Sequence, residues 1–372
     1  TPVEGFCFPG CIHQISWADG LLGSWRARFN GGPWPTSICC RPSRFAALFM
    51  DLALLDRLTP DDHVSGEFLA GEFGCSRAAI AKRIDQLRAA GILVEARPRR
   101  GYRLAYPYRW WRQDALAAAL ASAGAALSLS VLPETPSTND WLGGRLATEP
   151  AGFRGMAVTD FQTGGKGRRG RSWLSPSGRQ LTCSFGIVSA QAPLVWIGVA
   201  LAVGVVVASV LRQQGWPVRL KWPNDLMLGE AKLGGILVEM DALAEGPSRI
   251  VIGLGINEHL RQEEACELAR EVAALQPAEP NPAYDRQALL LAIAVGIDGL
   301  LDDFPATGLA PWLACWDELD MLRGRPVSYQ HGDSWLPGVA QGVDAQGCLL
   351  VQTDAGLVRC HSGEVSVRSV PS

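Results

Sequence analysis

The sequence predicts an α+β protein made of three successive units, and three observations carry this prediction. A helix–turn–helix pattern over 65–91 leads into a short β-hairpin pattern. From about residue 108, strand-like runs alternate with helical patterns. Beyond Arg323, short strands recur between Gly-Asp and Asp-Ala-Gly turns, which is typical of a small β-barrel. The expected divisions are an extension whose status the sequence leaves open (1–42), a winged helix-turn-helix (43–107), a central mixed-sheet domain (108–322) and a small barrel (323–372).

The composition is that of an ordinary globular chain and excludes a globally basic nucleic-acid binder. Of 372 residues, 48% are hydrophobic and 19% are charged, and the formal net charge is −3. Any contact with nucleic acid therefore depends on a local basic patch.

The ten cysteines do not form a disulfide framework, because most of them are scattered singly along the chain. Their pattern favours free thiols in a reducing cytoplasm. A closer N-terminal group is not spaced like a known zinc site, so we expect no structural metal there; its members are Cys7, Cys11, His13, Cys39 and Cys40.

One apolar run requires a membrane test. The segment from Leu194 to Leu211 has 18 residues without a charge, which corresponds to about 27 Å of helix. That length is marginally short for a bilayer core, and the run lacks a basic cluster on one side. We therefore predict a helix buried against a sheet, in a cytoplasmic protein without membrane partners; residues 1–20 show no secretory signal pattern.

The winged-helix prediction depends on a short helix, a tight turn and a second helix. Phe68, Leu69 and Phe73 are expected on one face of the first helix, and Gly74-Cys75 forms the turn. Ser76 is a suitable N-cap for the second helix. The residues expected to point inward from that helix are Ile80, Ile84 and Leu87.

Charge is concentrated in this unit. Between Ser76 and Leu104 there are eight cations and two acids. A basic second helix with a basic wing tip is typical of a winged helix that lies on phosphates, although a winged helix used for protein contacts remains the alternative. The residues predicted to contact DNA are Ser76, Arg77, Lys82, Arg83, Arg99 and Arg100.

The central unit is expected to hold five strands and three helices. The strand-like runs are 155–161, 181–188, 218–222, 232–240 and 249–256. The helical patterns lie at 114–123, 194–214 and 284–304.

A loop rich in glycine and arginine follows the first of these strands. Residues 164–171 contain four glycines and four cations, a composition that holds neither helix nor strand well. It is suited to wrapping an anion, since glycine lets backbone N–H groups approach closely and the cations donate charge-assisted hydrogen bonds. An exposed basic loop for nucleic acid or solubility is the alternative.

Four further segments carry polar groups at the ends of predicted elements: 137–139, 221–225, 232–235 and 253–257. Together they indicate a pocket with neutral hydrogen-bonding groups at one end and the cationic loop at the other. The glycines at 253 and 255 are expected to leave room for a flat ligand. Because no Cys/His pair, paired carboxylates or Ser-His-Asp set is evident, the pattern favours chemistry by positioning and charge neutralisation, as in phosphoryl or nucleotidyl transfer.

In this order, the motifs closely resemble those of the bacterial biotin protein ligases. The resemblance lies in Gly164–Arg171 with Ser172-Trp173, then 221–225, 232–239 and 253–257. The preceding helices resemble the DNA-binding domain of the bifunctional subgroup that also represses biotin operons. The similarity runs from about Leu52 to Arg368 and implies a class II synthetase-like catalytic domain followed by an SH3-like barrel. Lys166 stands where many members carry Arg, so the planar fork is lost while the charge is kept.

Roles for individual residues follow from this resemblance alone. It implies that Lys232 and Arg168 cancel the repulsion between two anions and that Asp225 orients the acceptor amine and accepts its proton. The residues implied to bind biotin are Ser137, Thr138, Asn139, Gln162, Lys166, Gly167, Arg168 and Lys232. Those implied to bind ATP or the adenylate are Arg169, Arg171, Trp173, Asn224 and Asn257.

The resemblance also implies substrates and partners. ATP, Mg²⁺ and biotin would give biotinyl-5′-AMP and pyrophosphate, with no metal held by protein ligands alone. The biotinyl group would then pass to a lysine of the biotin carboxyl carrier protein of acetyl-CoA carboxylase. Operator DNA is the expected second partner, and binding of biotinyl-AMP is expected to promote a homodimer. The alternatives are a transcription regulator whose ligase-like domain only senses a small molecule and, ranked below it, a ligase for another acyl group such as lipoate.

Overall fold

The computed structural model describes residues 53–242, 247–266, 271–276, 284–331, 334–361 and 367–369. The N-terminal extension and the rejected zinc group lie outside the described residues. The first ten residues of the expected winged helix-turn-helix, 43–52, are also outside, whereas Leu54, Leu55 and Leu58 are described and buried.

The first unit is a helix–turn–helix with a two-stranded wing. Its elements are α1 (Gly66–Glu72), α2 (Arg77–Ala89), β1 (Val94–Arg97) and β2 (Gly101–Leu104). The side chain of Ser76 accepts a hydrogen bond from the backbone N–H of Ala79, which fixes the start of α2 as predicted.

The apolar face of α2 packs inward as predicted, because Ile80, Ile84 and Leu87 are all buried. On α1 the prediction is only partly right. Leu69 is buried, but Phe68 is 61% exposed. Phe68 and Leu69 are consecutive and so point about 100° apart around a helix; a short α1 buries only one of them.

The central unit contains six helices and seven strands within the described residues. The helices are α3 (Gln113–Ser122), α4 (Thr138–Leu146), α5 (Val199–Gln213), α6 (Gln262–Cys266), α7 (Arg286–Thr307) and α8 (Leu313–Leu319). The strands are β3 (Ser128–Leu132), β4 (Arg154–Thr159), β5 (Gln180–Ser189), β6 (Val218–Lys221), β7 (Asp225–Leu228), β8 (Ala231–Ala242) and β9 (Ser248–Asn257). The five predicted strands correspond to β4, β5, β6, β8 and β9; the sequence patterns missed β3, β7, α4, α6 and α8.

These strands form one mixed sheet in the order β3-β4-β5-β9-β8-β7-β6. Only β3 and β4 are parallel, and every other neighbouring pair is antiparallel. Helices α5 and α7 pack together against one face and enclose the main core. Helix α4 covers the other face, where Leu142 and Leu146 lie over Val188 and Val251. The N-terminus of α4 therefore opens onto the same side of the sheet as the glycine-rich loop.

The apolar segment that required a membrane test is a core helix. Residues Pro193–Gln213 are long and apolar enough to cross a bilayer, but most of this stretch is buried inside the structure. The regular helix begins at Val199, later than predicted, because Gly198 has a φ of 85° and separates α5 from a 3₁₀ turn at Pro193–Trp196.

The C-terminal unit has five antiparallel strands in the described residues, as predicted for a small barrel. They are β10 (Pro326–His331), β11 (Ser334–Val343), β12 (Leu349–Thr353), β13 (Gly356–Cys360) and β14 (Val367–Ser369), in the order β13-β12-β11-β10-β14. This unit shares the core of the central unit. The indole of Trp222 donates to the carbonyl of Gly347 at 3.0 Å, and so links it to the pocket strands.

A stack of aromatic rings joins the winged helix to the central unit. Tyr108 lies parallel to Trp110 with ring centroids 5.1 Å apart, and Trp110 stacks on Phe161 at 5.7 Å. Arg112 and Asp56 add an ion pair of 2.7 Å across the same junction. The linker after the wing is therefore packed rather than free.

Candidate active site

A cavity of about 780 Å³ lies over the sheet, below the glycine-rich loop. Six cations and three carboxylates line it, so its charge is positive. All but one of the residues that the sequence assigned to catalysis, biotin or ATP lie on its wall: Ser137, Thr138, Asn139, Gln162, Lys166, Gly167, Arg168, Arg169, Arg171, Trp173, Asn224, Asp225 and Lys232. Asn257 lines a smaller neighbouring cavity instead.

The neutral end of the cavity is built around the start of α4. Ser137 is the N-cap of this helix, since its side chain accepts from the backbone N–H of Asp140. Gln162 accepts hydrogen bonds from the Thr138 backbone N–H at 3.1 Å and from its hydroxyl at 3.3 Å. These contacts hold small donors and acceptors in fixed directions, which suits recognition of a neutral polar ring.

Asn139 lies deeper and is fully engaged by the protein. Its Nδ2 donates to Oε2 of Glu239 at 2.7 Å, and its Oδ1 accepts from the hydroxyl of Ser184 at 2.6 Å. The same hydroxyl group lies 2.7 Å from that of Thr138. Asn139 is therefore a rigid part of the floor, with its amide orientation fixed by partners on both sides.

Glycines at 253 and 255 have a different purpose from the one predicted. A Cβ on Gly253 would lie 2.3 Å from Oδ1 of Asn139, and one on Gly255 would lie 2.7 Å from the indole of Trp173. The space that these glycines leave is occupied by protein side chains, not by open room for a flat ligand. The glycines thus allow Asn139 and Trp173 to lie directly on β9.

The glycine-rich loop forms a small irregular hairpin across the cavity. The Gly167 N–H donates to the carbonyl of Arg171 at 2.7 Å, and the Trp173 N–H donates to that of Gly165 at 2.8 Å. Arg169 has a φ of 59°, in the left-handed region that is uncommon for arginine. The turn aims the cations of the loop at one volume.

Two contacts across the cavity anchor the first half of this loop. Lys166 forms an ion pair with Asp140 of α4 at 2.7 Å, and its hydrogen bond to Asp140 raises the pKa of Lys166. Arg168 donates to Oδ1 of Asn224 at 3.2 Å. Burial lowers the pKa of Arg168, and Arg169 adds to the effect, because a half-buried cation beside another cation is less favourable. An anion in the cavity would relieve this repulsion.

Lys232, at the start of β8, lines the same cavity from the sheet. Its ammonium forms a short ion pair with Asp225, and the side chain is only 10% exposed. The ammonium lies 5.8 Å from the centroid of the Trp173 ring. Cations from two distant stretches of sequence, residues 166–171 and residue 232, thus line one cavity, as the sequence predicted.

The smaller cavity adjoins the main one at Trp173. Gln180, Asn257, Lys232 and Val272 also line it. At about 20 Å³ it has room for no more than a water-sized group, so a flat ring would have to lie in the main cavity, where Trp173 also forms part of the wall.

Several residues that shape these cavities were given no role from the sequence, namely Gln180, Ser184 and Glu239, although Glu239 ends the motif 232–239. Strand β5 is buried throughout, yet it carries Gln180, Thr182 and Ser184 at alternate positions. Polar groups with a period of two in a fully buried strand indicate a face that lines a site, and this signal was available in the sequence.

The basic surface of the winged helix is separate from the cavity. The two acids within 76–104 are paired, Asp85 with Arg88 and Glu95 with Arg103. The excess positive charge therefore belongs to the other cations, of which Arg77, Lys82, Arg99 and Arg100 are exposed and Arg83 lies 4.5 Å from the centroid of the Phe73 ring. Ser76 is the helix cap described above.

Comparison with known families gives three matches in the chain order expected. Residues 52–103 match the helix-turn-helix domain family, residues 131–257 match the biotin/lipoate A/B protein ligase family, and residues 324–368 match the biotin protein ligase C-terminal domain.

Whole-chain relatives give the same result. The bifunctional ligase/repressor BirA of Salmonella typhimurium is 38% identical over 319 residues, which are 86% of this chain and 97% of that protein. The BirA protein of Escherichia coli has the same identity and coverage. Among solved structures, the biotin protein ligase of Aquifex aeolicus in complex with biotin and ATP has a TM-score of 0.53 and 26% identity, covering 65% of this chain and 99% of that one.

Proposed function

The chain belongs to the bifunctional biotin protein ligases that carry a repressor's helix-turn-helix domain, and from this premise we propose a role for each residue of its site. It is a biotin protein ligase that uses ATP and biotin, and its fold, cavity and domain order are those of an enzyme with a DNA-binding unit. The observation that carries the assignment of roles is the convergence of Lys232 and Arg168 on one cavity.

The first step joins two anions. A carboxylate oxygen of biotin attacks the α-phosphorus of ATP, the bond to pyrophosphate breaks, and biotinyl-5′-AMP is left. Lys232 and Arg168 are assigned to neutralise the carboxylate and the α-phosphate as they approach, because cations fixed in a partly desolvated cavity need little reorganisation. The neutral groups at the start of α4, Ser137, Thr138 and Asn139, together with Gln162, are assigned to the ring of biotin.

The nucleotide is assigned to the main cavity beneath the cationic loop. Arg169, Arg171 and Asn224 are assigned to its phosphate oxygens, since all three line this cavity. Trp173, which also lines it, and Asn257, which lines the smaller cavity beside Trp173, are assigned to the adenylate. Lys166 and Gly167, both in the glycine-rich loop, are assigned to cover the biotinyl-5′-AMP intermediate. Mg²⁺, bound together with ATP, would supply positive charge to the leaving pyrophosphate.

The second step transfers the acyl group to a protein. A lysine amine of the acceptor attacks the acyl carbon, AMP leaves, and an amide forms as the amine gives up a proton. Asp225 is assigned to orient this amine and to accept its proton, because its carboxylate lines the cavity beside Lys232. The expected acceptor is the biotin carboxyl carrier protein of acetyl-CoA carboxylase, and the expected compartment is the cytoplasm, in keeping with the free cysteines among the described residues.

Repression requires DNA and, in this proposal, a homodimer. Operator DNA is assigned to Ser76, Arg77, Lys82, Arg83, Arg99 and Arg100. The dimer surface is supported by strand β8, which pairs with β7 only up to Gly235 and, within the described residues, pairs beyond it only with β9. Met240 lies on this stretch of β8, which has β9 on one side and no partner strand on the other among the described residues, and its side chain is 41% exposed. Leu194, in the 3₁₀ turn that contacts β8, is 75% exposed. An open strand with apolar side chains is an edge suited to a second copy.

The deciding experiment is biotin-dependent exchange of labelled pyrophosphate into ATP. A ligase gives exchange with biotin, a lipoate-type enzyme gives it only with the other acid, and a sensor gives none. Lys232→Met should abolish the exchange, whereas Lys82→Met, on the winged helix, should leave it unchanged.

The dimer is tested separately by sedimentation with and without biotinyl-5′-AMP. Met240→Arg should prevent the ligand-dependent shift in sedimentation.

A further inference from the structure

Outside the cavity, one buried charged group connects the linker of the winged helix to the strand that carries Gln180. Arg286 is the first residue of α7 and is 3% exposed. Its guanidinium donates five hydrogen bonds, one for each N–H it possesses. The acceptors are Oε1 of Glu258 at 3.1 Å, Oε2 of Glu258 at 2.7 Å, the carbonyl of Gln180 at 2.8 Å, Oδ1 of Asp160 at 2.7 Å and the carbonyl of Arg109 at 2.6 Å.

One of these acceptors belongs to the segment that enters from the winged helix, and a second is hydrogen-bonded to that segment. The carbonyl of Arg109 lies in that linker, and Asp160 accepts a further hydrogen bond from the Trp111 backbone N–H at 3.0 Å. The guanidinium carbon lies 3.8 Å from the centroid of the Trp111 ring. One side of Arg286 is thus fixed to the linker.

The other side of Arg286 is linked through Gln180 to Trp173, which lines the main cavity. Gln180 begins β5 and stands opposite Asn257 of β9 in the sheet register. Its Oε1 accepts from the indole of Trp173 at 2.9 Å, and its Nε2 donates to Oδ1 of Asn257 at 2.9 Å. Asn257 in turn donates to the carbonyl of Ala273 at 2.9 Å.

This series has only one consistent orientation. An indole can only donate, so the amide oxygen of Gln180 must face Trp173, and its nitrogen must then face Asn257. The backbone carbonyl of Ala273 can only accept, so Nδ2 of Asn257 must face Ala273 and Oδ1 must face Gln180. Gln180 therefore sets the direction of both groups that line the smaller cavity, while its own backbone is held by Arg286.

We propose that Gln180 and Arg286 are positioning residues for the nucleotide half of the site, in which Arg286 fixes the start of β5 and Gln180 orients Trp173 and Asn257 towards the nucleotide. This inference rests on the proposed function, which assigns the nucleotide to these two residues. It also predicts that substitutions of Gln180 and Arg286 change the KM for ATP more than the KM for biotin, because neither residue lines the neutral end of the cavity where biotin is assigned.

The test compares the KM for ATP with the KM for biotin in the exchange reaction, in the full-length protein. Gln180→Met keeps the size of the side chain and removes both hydrogen bonds; it should raise the KM for ATP about tenfold and change that for biotin less than about twofold. Arg286→Lys keeps the charge but loses the planar fork, and should shift the same constant in the same direction by about threefold. Direct calorimetric titration with ATP should show matching losses of affinity.

Arg154→Met is the matched control. Arg154 also forms ion pairs with α7, to Asp298 at 2.8 Å and to Asp302 at 2.6 Å, but it lies away from both cavities. It should leave the ratio of the two KM values unchanged even if the protein loses stability. If Gln180→Met raises both KM values equally, or neither, the inference is wrong. If the wild-type protein shows no biotin-dependent exchange at all, the proposed function fails instead.

Discussion

The cavity and the Arg286 cluster contain the same kinds of charged side chain but use them in opposite ways. In the cavity, six cations face three carboxylates, and the cations turn towards an open volume. In the cluster, one guanidinium lies between Asp160 and Glu258 with every N–H bonded. Excess charge facing a cavity is available to a ligand, whereas balanced charge without a cavity can only hold the protein in place.

The pKa values reflect this difference. Burial lowers the pKa of Arg168, and the nearby Arg169 lowers it further. For Arg286, burial also acts to lower the pKa, but Glu258 and Asp160 outweigh it and raise the value. Burial raises the pKa of Asp160 and of Glu258, although Arg286 opposes the change. An added anion would therefore stabilise Arg168 more than Arg286, because Arg286 already lies between Glu258 and Asp160.

The largest expected effect is on the cavity side. Lys232→Met should reduce the exchange rate by about a thousandfold, since fixed cations at developing charge are among the strongest catalytic contributions. Urea unfolding should show little loss of stability. A variant that kept a tenth or more of the wild-type rate would contradict the role of Lys232.

The cluster should respond in the opposite manner. Arg286→Met should lower the free energy of unfolding by about 3 kcal/mol, because two buried carboxylates lose their cation. Adding Asp160→Asn and Glu258→Gln to this variant should recover part of that loss. Denaturant unfolding of the single and triple variants checks this, and equal stability of the single variant and wild type would count against it.

A third charged site, Asp320, allows a test of how stability depends on pH, with a smaller expected effect. Asp320 is buried at the junction with the C-terminal unit, and burial raises its pKa to about 6, with Asp317 adding to the effect and with Arg219 and Arg323 opposing it. Since the folded pKa exceeds the unfolded one, this group's stabilising contribution is complete below pH ~4 and is lost as the pH rises through about 6.

Asp320→Asn should therefore be more stable than wild type by about 2 kcal/mol at pH 8 and nearly equal to it at pH 4. Unfolding measured across this range gives the comparison. Glu264 offers the contrasting case: although burial acts to raise its pKa, the hydrogen bond from Arg179 lowers it to about 2, so its contribution is present at neutral pH and lost in acid. A difference between Asp320→Asn and wild type that did not depend on pH would exclude titration of this carboxyl as the cause.

The smallest effect is expected at the wing, a second place where cations exceed acids. Replacing Arg99 and Arg100 by Ala should weaken binding to DNA about tenfold and reduce the slope of log affinity against log salt by about 2. Pyrophosphate exchange should not change. A loss of exchange in this variant would mean that the wing acts on the active site, and an unchanged salt slope would place the DNA contacts elsewhere.

The sequence by itself determined the class of fold, the order of the units and most of the cavity wall. Helical periodicity identified α2, and turn residues marked the C-terminal strands, because these signals are local. The motifs at 164–171, 221–225 and 232–235 were informative since glycines and cations at strand ends have few other uses. The polar alternation of Gln180, Thr182 and Ser184 was equally local, but it was not used.

Only the tertiary structure decided which of these residues meet. Lys232 and Arg168 are 64 positions apart in the chain, and their common cavity exists because β7, β8 and the loop are brought to one side of the sheet. The glycines of β9 were predicted to make room for a ligand, but that room is filled by Asn139 and Trp173 from elsewhere in the chain. Arg286 gave no local signal at all, because its five acceptors come from four separate segments that only the fold assembles.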